Sequence, residues 1–235
     1  MSLNNNQFIA IVPARKGSKG LANKNIFMVN GRPLIDYTIQ AAKNSNYINE
    51  IYITSDDSFV SDYAKMNSIN FIERPKIFST DEASANDVLQ HFLSEMPKDL
   101  VSQDPYLIYL QPTSPLRNSF HIDKAIDILI ASDSQQLISV NKMEKSPFKA
   151  FKVNENNLLE TIIDINMTNK RRQDLPDAFL PNGAIYIFKA SFFIKYQEFP
   201  SNNSIPFFMD NSSSLDIDSK DDIQKFIDIL EEYKK

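Results

Sequence analysis

A doubly wound α/β domain with a mostly parallel sheet is the fold this sequence predicts, and three observations predict it. Short apolar runs alternate with amphipathic helical stripes over the first two-thirds of the chain. The runs are largely continuous rather than alternating, as expected for strands covered on both faces. Their strand–helix–strand order closes most simply through parallel pairing, with helices on both sides of the sheet.

The elements follow in order. FIAIV at 8–12 reads as the first strand, and IYI at 51–53, INFI at 69–72, YLIYL at 106–110 and LISV at 137–140 continue the series. Ile35, Ile39 and Ala42 mark a helix opened by Pro33, whose missing N–H costs nothing in a first turn. A helix over 58–66 follows Asp56 and Asp57, which suit its cap. Val88, Leu89, Phe92, Leu93 and Met96 form another helical stripe, with Ser84 or Asn86 near its cap. Ile122, Ala125, Ile126, Leu129 and Ile130 form the next, capped by Ser119, and Ile223, Phe226, Ile227 and Leu230 the last, capped by Asp218 or Ser219. Residues 142–180 break the rhythm and read as an excursion, a β-arm or small lobe within one domain spanning 1–235. NGAIYIF returns as turn and strand, and 201–214, rich in Ser and Asn, reads as a surface loop.

Composition narrows the function. With 235 residues the chain can bury a sizeable core, and its formal net charge of −5 argues against a nucleic-acid binder. There is no cysteine, which removes thiolate catalysis, disulfides and Cys–zinc sites. The two histidines, His91 and His121, both fall in helical patterns, so a His-rich metal site is not expected. Neither a signal peptide nor a membrane span is visible, so a cytoplasmic setting away from membranes is the expectation.

Ligands of such sheets bind outside the carboxyl ends of the strands, so the loops after strands carry the information. ARKGSKGLANKN, residues 14–25, places Arg15, Lys16, Lys19 and Lys24 around Gly17 and Gly20, two of only four glycines. Exposed backbone N–H groups and cations in one loop suit a small anion, although the spacing matches neither a P-loop nor G-x-G-x-x-G. LQPTSPLR, residues 110–117, is stiffened by two prolines. It brings Gln111 to the strand's end and offers Arg117 to an anion. In SLDIDSKDD, residues 214–222, Asp216 and Asp218 stand two apart, so on an extended backbone both face one side. Two carboxylates there suit a hard cation such as Mg²⁺; the same letters also suit a helix cap. Phe207 and Phe208 read as core or interface, and Lys149, Arg171 and Arg172 as solvated unless folded toward the site.

Together IAIVPARKGSKGLANKNI, ERPKIFSTDEASANDVL, LQPTSPLR, RRQDLPDAFLPNGAIYI and SLDIDSKDDI resemble, in this order, the motifs of the acylneuraminate cytidylyltransferases. The resemblance spans roughly residues 8–230. It implies a Rossmann-like sheet of the nucleotide-diphospho-sugar transferase type with a small dimerisation lobe at 142–180. The implied activity joins CTP to a nonulosonic acid, a nine-carbon 2-keto sugar acid, giving the CMP-sugar and pyrophosphate with Mg²⁺ in a homodimer. Carried over by motif, Arg15, Ser18, Lys19, Lys24, Asn25, Arg74 and Ser84 belong to nucleotide binding. Gln111, Lys149 and Arg172 belong to the sugar acid, the last two in cis or from a second chain. Asp216 and Asp218 would hold the metal, and Arg15, Lys19 and Asp218 would act on the reacting phosphate. Leu180 stands where relatives commonly carry Arg, Ala22 where Pro is usual and Lys16 where a small or polar residue is usual, which leaves the acid unidentified.

Catalysis in such a site is mainly positioning and charge neutralisation. Two alternatives stay open on sequence alone: a cytidylyltransferase for an eight-carbon acid such as Kdo, and a non-catalytic nucleotide-binding protein on the same scaffold.

Overall fold

The computed structural model describes residues 6–17, 20–21, 23–132 and 134–233. Ser18, Lys19 and Ala22, singled out above, lie outside the described residues.

The chain opens with β1 (Phe8–Pro13), a two-residue hairpin β2 (Met28–Val29) and β3 (Arg32–Pro33), and α1 (Leu34–Lys43). Then come β4 (Glu50–Ser55), α2 (Ser58–Met66), β5 (Asn70–Glu73), α3 (Ala85–Glu95), α4 (Lys98–Ser102) and β6 (Tyr106–Tyr109). The second half holds α5 (Ser119–Ser132), β7 (Gln136–Lys142), β8 (Phe151–Val153), β9 (Leu159–Thr161) and α6 (Ile165–Thr168). It closes with β10 (Phe179–Lys189), α7 (Ala190–Tyr196), β11 (Ile205–Phe208) and α8 (Lys220–Glu232).

The central sheet has the order β11-β7-β10-β6-β1-β4-β5. β1, β4, β5 and β6 pair in parallel, as does β11 with β7, while β10 runs antiparallel to both β6 and β7. The expectation of parallel pairing therefore fails at this one strand. The reversal has a use: the beginning of β10 lies at the edge where the parallel strands end, so its irregular Pro181–Asn182–Gly183 stretch reaches the loop after β6.

Residues along β1 divide between the two faces as the pleat requires. Phe8, Ala10 and Val12 pack with α1, α2 and α5 through Ile35, Ile39, Val60, Ile122 and Ile126. Ile9 and Ile11 face α3, α4 and α7 through Val88, Phe92, Leu100 and Phe193. A third cluster joins Leu21, Val29 and Leu34 to Ile223 and Phe226 of α8, with the buried Ile217 at its centre. That cluster ties the last helix, and the acidic stretch before it, to the end of the basic loop.

Four local expectations need correction. The 201–214 stretch holds β11, whose Phe207 is buried against the sheet while Phe208 is exposed; four apolar residues among Ser and Asn gave no periodicity to read. Asn118, rather than Ser119, caps α5, its side chain accepting from the His121 N–H at 3.1 Å. Asp57 caps α2, whereas Asp56 accepts from the backbone N–H of Lys16 at 2.7 Å and so anchors the basic loop. Pro33 sits at the N-cap of α1 in extended conformation, one residue before the helix.

The excursion between β7 and β10 holds the antiparallel hairpin β8–β9 and the short α6. Its apolar side chains Leu158, Leu159, Ile162, Ile163 and Ile165 are all exposed.

Candidate active site

The carboxyl ends of β1 and β6, the start of α3 and the stretch before α8 enclose a cleft of about 470 Å³. Arg15, Lys24, Asn25, Arg74, Ser84, Gln111, Asp216 and Asp218 all line it, together with Tyr109 and Thr113. Eight residues named from four separated motifs thus meet in one place.

Each cation in the cleft is held differently. Arg15 pairs with Asp81 at 2.6 Å. Lys24 reaches across 194 residues to Asp218, Nζ to Oδ1 at 2.8 Å, joining the basic loop to the acidic one. Arg74 is 3% exposed; it donates to the carbonyl and the hydroxyl of Thr54 at the end of β4, and burial pulls its pKa down. Asn25 donates to the Arg15 carbonyl at 3.0 Å, so it shapes the loop around Arg15 as well as lining the cleft. Ser84 caps α3 in a reciprocal box with Asp87, which sets the helix's amino end, the positive pole of its dipole, against the cleft.

Asp216 and Asp218 both reach the cleft because Ile217 between them is fully buried in the third cluster. Burial raises the pKa of Asp216, against a hydrogen bond from Thr113 that lowers it. Gly20 meets this stretch from the other side: a Cβ there would collide with the carbonyl of Asp218. Among the described residues no cluster of three or more His, Cys, Asp or Glu is placed to hold a metal. The arrangement fits a cation that takes two protein carboxylates and completes its shell with phosphate and water, as Mg²⁺ commonly does.

A second cavity of about 360 Å³ shares Gln111 and Asp216 with the first. Asn141, Leu180, Pro181, Asn182, Gly183, Tyr186 and Ser214 complete its wall. Asn182 is saturated, donating to Asn141 and Ser214 and accepting from the Ser139 hydroxyl and the Ala184 N–H, so it braces the break in register of β10. Sequence reasoning missed Asn141, Tyr109 and Tyr186. Their signal was position: Tyr109 ends β6, and Tyr186 is its register partner on β10. Burial pushes the Tyr109 hydroxyl up to about 12 and also raises that of Tyr186.

Three candidate residues fall elsewhere. Lys149 and Arg172 line neither cavity; both sit on the excursion, where Arg172 donates to the Glu144 carbonyl at 2.8 Å. Arg117 does not face the cleft as expected. It is 1% exposed and donates to Thr38, to the Ala184 carbonyl and to the Gln111 carbonyl. Burial without a carboxylate pulls its pKa down to about 9, at a cost in stability that a buried guanidinium repays only through good hydrogen bonds.

Comparison with known proteins agrees with this geometry. The chain is 33% identical over 218 residues to an N-acylneuraminate cytidylyltransferase of Streptococcus agalactiae serotype V, covering 91% of this chain and 51% of that protein. It is 30% identical over 217 residues to a pseudaminic acid cytidylyltransferase of Campylobacter jejuni, covering 92% and 93%. The chain thus spans about half the length of the N-acylneuraminate enzymes it matches and nearly all of the pseudaminic one. A solved CMP:2-keto-3-deoxy-manno-octonic acid synthetase complexed with CTP superposes over 97% of this chain and 99% of its own, with a TM-score of 0.71 at 15% identity, a likeness of fold. The cytidylyltransferase family model matches residues 9–235, the span that contains every lining residue of both cavities, and the chain belongs to that family.

Proposed function

We propose that the chain transfers CMP from CTP to the anomeric hydroxyl of a nonulosonic acid, releasing pyrophosphate. One observation carries the reading: cations from the loop after β1 and from the end of β5 share a cleft with an acidic pair and Gln111. The relatives' names supply the two substrates, CTP and a sialic-type acid.

The triphosphate would lie along the basic loop, with Arg15 exchanging Asp81 for a phosphate and Lys24 and Arg74 adding charge. Lys19 would act beside Arg15, and Ser18 beside the nucleotide, by motif. Gln111, at the junction of the two cavities, would hold the acid in the second one. The anomeric oxygen attacks the α-phosphorus in line while the bond to the bridging oxygen breaks, and that electron pair leaves with pyrophosphate. Asp218 would take the hydroxyl's proton, since it lines the same cleft and is restrained by Lys24. Asp216 and Asp218 would hold Mg²⁺, which when bound supplies neutralisation of phosphate charge. The chain's own residues orient the two anions and keep them from repelling each other.

The acid's carboxylate needs a cation, and among the described residues the second cavity's wall contains no Lys or Arg. Lys149 and Arg172 would supply it from a second copy of the chain. The exposed apolar side chains of the β8–β9 lobe and α6 support a homodimer formed through that lobe. The setting is expected to be cytoplasmic, where CTP is made; no described helix is long and apolar enough to cross a membrane.

The test is incubation with CTP, Mg²⁺ and a panel of nonulosonic acids, following pyrophosphate and the mass of the product. Release with at least one acid, and a product heavier than that acid by one CMP residue, is expected. Folded protein that releases none with any acid overturns the proposal.

A further inference from the structure

We infer that Arg117 is a positioning residue for the sugar acid: it ties the main-chain carbonyl of Gln111 to that of Ala184 and thereby fixes where the Gln111 amide stands. This rests on the assignment of Gln111 to the acid in the proposed function.

The contacts are specific. Arg117 Nε donates to the Ala184 carbonyl at 3.3 Å, and Nη2 donates to Thr38 Oγ1 at 2.8 Å and to the Gln111 carbonyl at 3.2 Å. One side chain thus joins α1, the loop after β6 and the start of β10. The Gln111 carbonyl also accepts from the Ser114 N–H at 3.3 Å and from Thr38 Oγ1 at 3.4 Å, so its backbone is held from three sides. Its side-chain amide, by contrast, makes no hydrogen bond among the described residues and lines both cavities. The surface that stops it is Gly183, where a Cβ would come within 2.6 Å of Gln111 Oε1. Gly183 immediately precedes Ala184, whose carbonyl Arg117 holds. The amide's floor and its own backbone are therefore fastened to the same guanidinium.

Among the described residues every hydrogen-bond acceptor of this cation is neutral, and Nη1 has no partner. A core needing only filling would be served by Met or Leu. What a hydrocarbon cannot do is span three acceptors on three elements with one planar fork.

The experiment compares wild type, Arg117→Met, Arg117→Lys and Gln111→Ala, with KM for CTP and for the acid measured separately. Arg117→Met is expected to raise the acid KM by about 10- to 100-fold, the usual consequence of an ångström-scale misplacement, and to leave the CTP KM within about twofold. Lysine is expected to rescue only in part. In the Gln111→Ala background the same change should add less than about twofold, because coupled residues are not additive. Equal rises in both KM values, or full additivity with Gln111→Ala, overturns the inference. Should Gln111→Ala itself leave the acid KM unchanged, the Gln111 assignment falls and this inference with it. Two further readouts need no folded Met variant, and the first does not need the Gln111 assignment either. A crystal structure of Arg117→Lys should show the Gln111 amide displaced from Gly183, and an unmoved amide overturns the inference whatever the activity. Thr38→Val, which removes the middle link alone, should raise the acid KM in the same direction by a smaller factor, and no rise at all overturns it.

Discussion

Gly20 shows how much a single residue holds in this cleft. It sits where the basic loop touches the backbone of the acidic one, and a methyl group there meets the Asp218 carbonyl. Gly20→Ala is therefore expected to part the two loops, strain the Lys24–Asp218 contact and cut turnover by about 100-fold, while thermal unfolding stays cooperative; a steady-state assay beside a melting curve checks it. The carboxylates themselves make a cleaner test. Asp216→Asn and Asp218→Asn keep size and shape, so turnover should fall by about 100-fold or more, with the melting temperature held or raised because Asp216 is buried at an energetic cost. Activity retained in both variants would refute their role toward the metal. The glycine in a basic loop was legible in the sequence, and so was the D-x-D spacing. Their contact was not, because it joins residues nearly two hundred positions apart.

Elements, more than residues, decide which way these groups point. α8 is amphipathic, and its Ile223 and Phe226 bury Ile217's cluster, which turns both aspartates outward. The helix begins in a reciprocal box, Ser219 accepting from the Asp222 N–H and donating to its carboxylate. Those bonds push the Asp222 pKa down to about 2. A group whose folded pKa is depressed stabilises the fold above its unfolded value and loses that contribution as pH falls toward the folded one. Stability should thus decline between about pH 4 and pH 2, and Asp222→Asn should flatten that part of the curve in urea titrations at each pH. Ser219→Ala should cost about 1 kcal/mol, roughly 2–4 °C in a chain of this length. Strand β10 carries the complementary lesson. Its composition was readable, but the bulge at Asn182–Gly183, read as a turn before the strand, and its direction were not, since apolar periodicity is the same in either sense along a strand. Only the register, Tyr186 against Tyr109, sets Gly183 beside Gln111. Arg117 was misread for a related reason. A charged side chain in a loop after a strand is ordinarily exposed, and no local pattern marks three acceptors gathered from distant parts of the chain.

At the scale of the whole molecule, the cleft of one chain holds the cations proposed for the nucleotide, and among the described residues the wall proposed for the acid has none. Lys149 and Arg172 stand apart on a lobe whose apolar residues face solvent. If a second copy covers that lobe, two active sites form, each built from one chain's cleft and the other chain's excursion. The consequence can be measured by mixing two inactive variants. The double variant Asp216→Asn with Asp218→Asn has a defective cleft and an intact lobe; the double variant Lys149→Ala with Arg172→Ala has the reverse. Unfolded together and refolded as an equal mixture, they should give half heterodimers, each with one complete site. About a quarter of wild-type turnover should return, since a two-fold assembly carries two equivalent sites. If both residues served their own chain's cleft, every site in the mixture would still lack one partner and no activity would return. A third variant separates assembly from chemistry: Ile162→Lys with Ile163→Lys places charge on the lobe's apolar face. It should sediment as a monomer and lose turnover, yet still bind CTP by calorimetry, because the nucleotide residues belong to one chain.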